Sequence, residues 1–259
     1  MSLSPFDGPP ASQPFPPPVA RPAMVSVPLP RPRPWVTYGL LLLTALVFVG
    51  QSLSSALLGE DVLLLLGAKD NALIRAGQYW RLVTPIFLHA GLLHVGFNLY
   101  ALYVIGPPVE ARFGPRRFFF LYLFSGVAGV LASMAFSSDV SVGASGAIFG
   151  LIGAYAVYLY QHRELFGRNG RRTLLNLAFI AVVNLLIGLA PGIDDWAHLG
   201  GLLGGSLLAV SIGPLNEVAL SPQTGQAVIL DRRAPGTVWA ASALWLFVLL
   251  AIFAFLLNR

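Results

Sequence analysis

The chain has 259 residues, of which 56% are hydrophobic and only 10% charged. A soluble domain of this size carries about a quarter charged residues, so an ordinary water-soluble fold is excluded. Cysteine is absent, which removes disulfides, thiolate catalysis and Cys-based metal sites. The net charge of +5 is no argument for nucleic-acid binding, because the basic residues fall mostly in short loops between apolar runs.

From the amino terminus, 12 of the 20 prolines lie within residues 1–34. Such a segment sustains neither helix nor sheet, and it is expected to be a disordered, PPII-like cytosolic tail. No compact apolar region with a small-residue cleavage site follows Met1, so a signal peptide is not expected. Seven apolar stretches come next, at about 35–53, 86–106, 118–136, 145–160, 174–189, 196–212 and 238–257. Backbone in lipid must satisfy its own hydrogen bonds, so these are predicted to be membrane-spanning helices. Residues 54–83 are too polar and broken to span and read as an interfacial loop. The expected fold is an all-α polytopic membrane protein. A six-helix core occupies 35–212, a cytosolic linker 213–237, and an additional carboxyl-terminal transmembrane helix 238–259.

The arginines and lysines orient this arrangement. A cytosolic amino terminus places 12 of them inside, in the groups Arg21–Arg33, Arg112–Arg117, Arg163–Arg172 and Arg232–Arg233. Only Lys69, Arg75, Arg81 and Arg259 fall outside. The positive-inside rule therefore predicts a cytosolic amino terminus and an external carboxyl terminus.

Polar residues cluster at the external ends of three spans. The second span holds His89, His94 and Asn98, and the last two share a helix face. The fourth opens with Gly143-Ala144-Ser145-Gly146, and the sixth with Ala197-His198-Leu199-Gly200-Gly201. Ser145 alone reads as readily as a packing residue, since small residues line membrane helix contacts. His198 is a functional candidate, because an ionisable group in an apolar span is costly. Gly146 and Gly150 on one helix, and Gly201 and Gly205 on the other, form small-xxx-small faces that let backbones approach. In that arrangement Ser145 is the nucleophile and neutral His198 the base. The Ser145 N–H at a helix start, with His94 and Asn98, supplies donors for an oxyanion.

None of the seven stretches contains Asp or Glu, so a Ser–His dyad is expected. Asp195 is read as the cap of the sixth helix, with the third place of a triad as the alternative. His-Glu-x-x-His is absent, and Gly-x-Ser-x-Gly fails because residue 147 is Ala. Two other readings stay open on residues alone. One is a non-catalytic binder of membrane clients. The other is a transporter lined by His and Asn, although the cytosolic halves of these spans are largely apolar.

Over about residues 80–205 the chain resembles the rhomboid family of intramembrane serine proteases. The resemblance rests on His89-x-x-x-x-His94-x-x-x-Asn98, Gly143-x-Ser145-Gly146 and Ala197-His198-x-x-Gly201-x-x-x-Gly205, together with Trp80-Arg81 and Glu110-x-Arg112. It implies Ser145 and His198 as the catalytic pair, and His94, Asn98 and the Ser145 backbone as the oxyanion hole. By the same resemblance His89 supports loop architecture and Phe149 packs on the His198 ring. Glu110 and Arg112 form a structural pair, Trp80-Arg81 is an interfacial anchor, and His162 is incidental. The family's "six plus one" form matches the added last helix. The implied substrates are single-span membrane proteins cut near their external end, preferably after a small residue and near helix-breaking ones. No cofactor and no metal are implied. The default location is the bacterial cytoplasmic membrane.

Overall fold

Glycines punctuate the apolar runs, and three of the long helices stop at one, at Gly59, Gly114 and Gly213. A computed structural model describes residues 33–190, 192–222 and 225–259. Its helices are α1 (Trp35–Leu58), α2 (Val62–Gly67), α3 (Asn71–Arg75), α4 (Leu92–Phe113), α5 (Pro115–Phe136), α6 (Ser145–Gln161), α7 (Arg163–Gly188), α8 (Asp195–Ile212) and α9 (Pro235–Leu257). Two 3₁₀ turns, Tyr79–Leu82 and Thr84–Phe87, lie between α3 and α4, and strands β1 (Asn216–Leu220) and β2 (Ala227–Asp231) precede α9. Gly114, at φ 78°, closes α4, and Pro115 opens α5 where its missing N–H costs nothing. Of the proline-rich segment only Arg33 and Pro34 are described. The expectation of a disordered tail otherwise lies outside the described residues.

Five helices, α1, α4, α5, α7 and α9, are long and apolar enough to cross a membrane. Their outward faces carry Leu42, Phe97, Phe179 and Phe247, all more than half exposed. An apolar exterior of this kind is what hydrocarbon solvates, and the chain is an integral membrane protein. The other two predicted spans are α6 and α8, which have 17 and 18 residues. At 1.5 Å per residue they reach about 25–27 Å, short of a core about 30 Å thick. Both are central: α6 buries 12 of its 17 residues, among them Ile148, Leu151 and Ile152.

Several element ends moved. α1 runs on to Leu58 rather than ending near 53, and α4 starts at Leu92 rather than 86, because residues 84–87 form a 3₁₀ turn around Pro85. α7 reaches back to Arg163 across a break at Gly167 (φ 49°, ψ −133°). Within 213–237, the segment expected to link the core to the last helix, β1 and β2 pair antiparallel from Asn216 opposite Asp231 to Leu220 opposite Ala227.

Two roles at this end of the bundle also need correction. Glu110 and Arg112 do not pair with each other. The buried Glu110 carboxylate accepts from Val36 N (3.0 Å), Thr37 N (2.7 Å) and Thr37 Oγ1 (2.7 Å), so α4 caps the start of α1. Arg112 donates to the Pro108 carbonyl (2.7 Å) and lies 4.9 Å over the Tyr155 ring. His162 is not incidental. It is buried, its Nε2 accepts from Asn216 N (2.9 Å), and its Nδ1 is 2.8 Å from the Tyr158 carbonyl. The ring therefore ties the hairpin to α6, and Arg117 pairs with Asp231 at 2.6 Å beside it.

Candidate active site

The site begins where two helices touch without side chains. Cβ atoms built on Gly201 and Gly205 would overlap the backbone of Gly146 and Gly150 respectively, and one on Gly146 would stand 3.1 Å from the Ala197 carbonyl oxygen. Only glycine permits such an approach, and the two sequence-predicted small-residue faces meet along it. α5 joins the seam, since a Cβ on Gly129 would come within 2.6 Å of the Ala197 oxygen. The consequence is local. Ser145 at the first position of α6 and His198 in the first turn of α8 are brought together, with Ser145 Oγ 2.9 Å from His198 Nε2. Phe149, one turn along α6, stacks on the imidazole with centroids 4.5 Å apart and planes at 11°.

The segment that delivers Ser145 is held by an internal frame. Lys69 is fully buried, and its Nζ donates to the Ser137 (2.9 Å) and Asp139 (2.8 Å) carbonyls. Its backbone exchanges hydrogen bonds with Ser141, and Asn71 Nδ2 adds a bond to the Ser137 carbonyl (2.9 Å). Burial lowers the Lys69 pKa from its ordinary value, opposed by the charges of Asp194, Asp139 and Asp70. Arg81 was expected at the interface, but it is buried and donates to the Ala68 and Leu65 carbonyls, each at 2.7 Å. It organises the loop from within. Trp80, half exposed, reaches the Leu66 carbonyl through Nε1 (2.9 Å).

His89 links this frame to the serine. Gln51 of α1 holds the His89 backbone from both sides, donating to its carbonyl and accepting from its N–H, each at 3.0 Å. The His89 ring in turn accepts from Ala144 N through Nε2 (3.4 Å). Burial, with a contribution from nearby His94, pushes the His89 imidazole down to about 4. His89 is therefore neutral at neutral pH, as an acceptor for a backbone N–H must be.

The other donors lie beside the serine. Gly143, at φ 135°, turns the chain into α6, and a Cβ there would stand 2.8 Å from His94 Nε2 and 3.6 Å from Ser145 Oγ. His94 and Ser145 thus flank one spot. His94 Nδ1 accepts from Ala90 N (3.4 Å), which leaves the proton on Nε2, facing that spot. The Ser145 N–H opens a helix and has no intrahelical acceptor. Asn98 is buried on the same helix, and its Nδ2 donates to the His94 carbonyl (2.9 Å).

At the start of α8 the cap falls one residue earlier than expected. Asp194, not Asp195, is the cap. Its Oδ1 accepts from Ala197 N (3.0 Å), and its Oδ2 accepts from Ser133 of α5 (2.5 Å). Asp195 instead places Oδ1 3.5 Å from His198 Nδ1. Lys69, Gln51, Asp194 and Ser133 were not foreseen as parts of this site. The only signal for them was a lone polar residue within or beside an otherwise apolar run, and such a residue reads equally as a surface group.

A rhomboid domain family model matches residues 76–214. The chain is 38% identical over 209 residues to the rhomboid protease GluP of Bacillus subtilis (strain 168), covering 80% of this chain and 40% of that protein. It is 43% identical over 156 residues to RHOMBOID-like protein 1 of Arabidopsis thaliana, covering 59% and 40%. It is also 38% identical over 141 residues to the putative rhomboid protease YdcA of Bacillus subtilis (strain 168), covering 54% and 70%. The chain thus spans less than half the length of the first two of these relatives.

Proposed function

This chain belongs to the rhomboid family, and on that premise we propose that it is an intramembrane serine endopeptidase acting through a Ser145–His198 dyad. The observation that carries the reading is the 2.9 Å approach of Ser145 Oγ to His198 Nε2 between two helices packed glycine to glycine. As Ser145 Oγ attacks the scissile carbonyl, His198 takes its proton and then returns it to the leaving amine. The negative charge on the tetrahedral oxygen is met by the Ser145 N–H and His94 Nε2. Asn98 contributes by fixing the His94 carbonyl, and is itself a second side-chain donor once turned to the oxyanion.

The substrates are single-span membrane proteins, cut close to the membrane face at which α6 and α8 begin. That face is external, by the asymmetry of the arginines, which puts the amino terminus in the cytosol. The membrane is the cytoplasmic membrane of a bacterium. The chemistry requires no cofactor and no metal, since the base, the nucleophile and the oxyanion donors are all side-chain or backbone groups of this chain.

The test is fluorophosphonate labelling of the purified protein, paired with cleavage of a single-span model substrate. The native protein is expected to label and cleave, with a rate that rises with pH as His198 loses its proton. Ser145→Ala and His198→Ala should do neither. Equal labelling of all three would refute the assignment.

A further inference from the structure

We infer that Asp195 is a positioning carboxylate for His198, fixing the tautomer that accepts the Ser145 proton; this deepens the protease reading and rests on it. For Nε2 to accept from Ser145 Oγ, the ring must carry its proton on Nδ1, and a buried N–H needs an acceptor. The Nδ1 atom is buried and has no hydrogen-bond partner among the described residues, and the same holds for Asp195 Oδ1. These two orphan atoms stand 3.5 Å apart, one helical turn from each other. A side-chain shift of less than about 1 Å closes that gap to an ordinary hydrogen bond.

Two further observations separate Asp195 from a structural role. The helix-capping function is already filled by Asp194, whose two oxygens serve Ala197 N and Ser133. Room for the Asp195 carboxylate comes from α7, because a Cβ on Gly188 would overlap Asp195 Oδ1. The glycine at the end of that helix thus leaves a recess that the carboxylate fills.

The other polar groups around the imidazole are Asp194 at the same helix start, Ser145 from α6 and His94 from α4. α5 contributes only Ser133, which is engaged with Asp194, and Lys69 faces Asp194 from the loop. Among the described residues, Asp195 is the carboxylate that stands within 4 Å of Nδ1, at 3.5 Å. During attack the Ser145 proton moves to Nε2 as Oγ bonds the carbonyl carbon, and the imidazolium later gives that proton to the leaving amine. Asp195 keeps its charge throughout and transfers no proton.

The test follows kcat and KM of the full chain in detergent on a single-span substrate from about pH 5 to 9. Native protein is compared with Asp195→Asn, Gly188→Ala and, as the control, Ser145→Ala. Asp195→Asn is expected to lower kcat about tenfold with KM changed less than about twofold. The acidic limb of its profile should move to lower pH, because the anion that favours the imidazolium is gone. Gly188→Ala displaces the same carboxylate while leaving it in the chain, and the same shift of the acidic limb is expected. It also carries the test if Asp195→Asn fails to fold. An unchanged kcat and an unchanged acidic limb in the folded variants would overturn the inference while leaving the dyad standing. Cleavage by Ser145→Ala at the native rate would instead overturn the protease reading itself.

Discussion

Two histidines at this site meet opposite demands. In the proposed mechanism His198 gains and loses a proton, whereas His89 must stay neutral to accept from Ala144 N. Burial enforces the second demand by holding His89 near 4, against an ordinary value of 6.5. A histidine whose folded value is depressed binds its proton more readily in the unfolded chain, so its contribution is complete above about pH 6.5 and is lost as pH falls toward 4. Stability in detergent should therefore decline across that window with a slope approaching about 1.4 kcal/mol per pH unit. Thermal unfolding between about pH 4.5 and 7.5 checks this. His89→Gln, whose amide has no proton to gain, should flatten the slope.

Among the elements, the α6–α8 seam is the most demanding. Gly201→Ala would drive a methyl into the Gly146 carbonyl, which is backbone and cannot turn aside. The helices must part, at a cost of about 1–3 kcal/mol typical of overpacking, and the 2.9 Å Ser145–His198 approach is lost with them. Fluorophosphonate labelling should fall by more than about tenfold, with a smaller drop in thermal midpoint. This seam was legible in the sequence, because glycines four apart on two apolar runs have few other uses. The hairpin was not. Its strands are five residues each and hold together through cross-strand pairing and contacts to α6, which local pattern does not display. The parts of Asp194 and Asp195 were also illegible. Adjacent acids at a helix start are equivalent in composition, and only the direction of each side chain separates a cap from a neighbour of His198.

At the scale of the whole molecule, the two ends of the bundle are built by different means. The end bearing Ser145 is braced by buried polar groups, Lys69, Arg81 and Gln51, bonded to backbone. The opposite end is closed by the hairpin, through His162 and the Arg117–Asp231 pair. The separation predicts that His162→Ala, which leaves the partly buried Asn216 N–H without its acceptor, costs about 1 kcal/mol of stability. The rate of Ser145 labelling should change less than about twofold, given that additivity holds between distant sites. Unfolding and labelling measured on one preparation would check both. The glycine seam carries a different consequence, for how such a chain can change over generations. The contact at Gly146, Gly150, Gly201 and Gly205 is made by atoms that are missing, and every substitution at a glycine adds atoms. Mutation can therefore break that contact but has no small steps with which to tune it. Gradual adaptation of rate and selectivity is left to positions such as Phe149, Asp195 and the loop around Lys69, where one side chain can be exchanged for another of similar size.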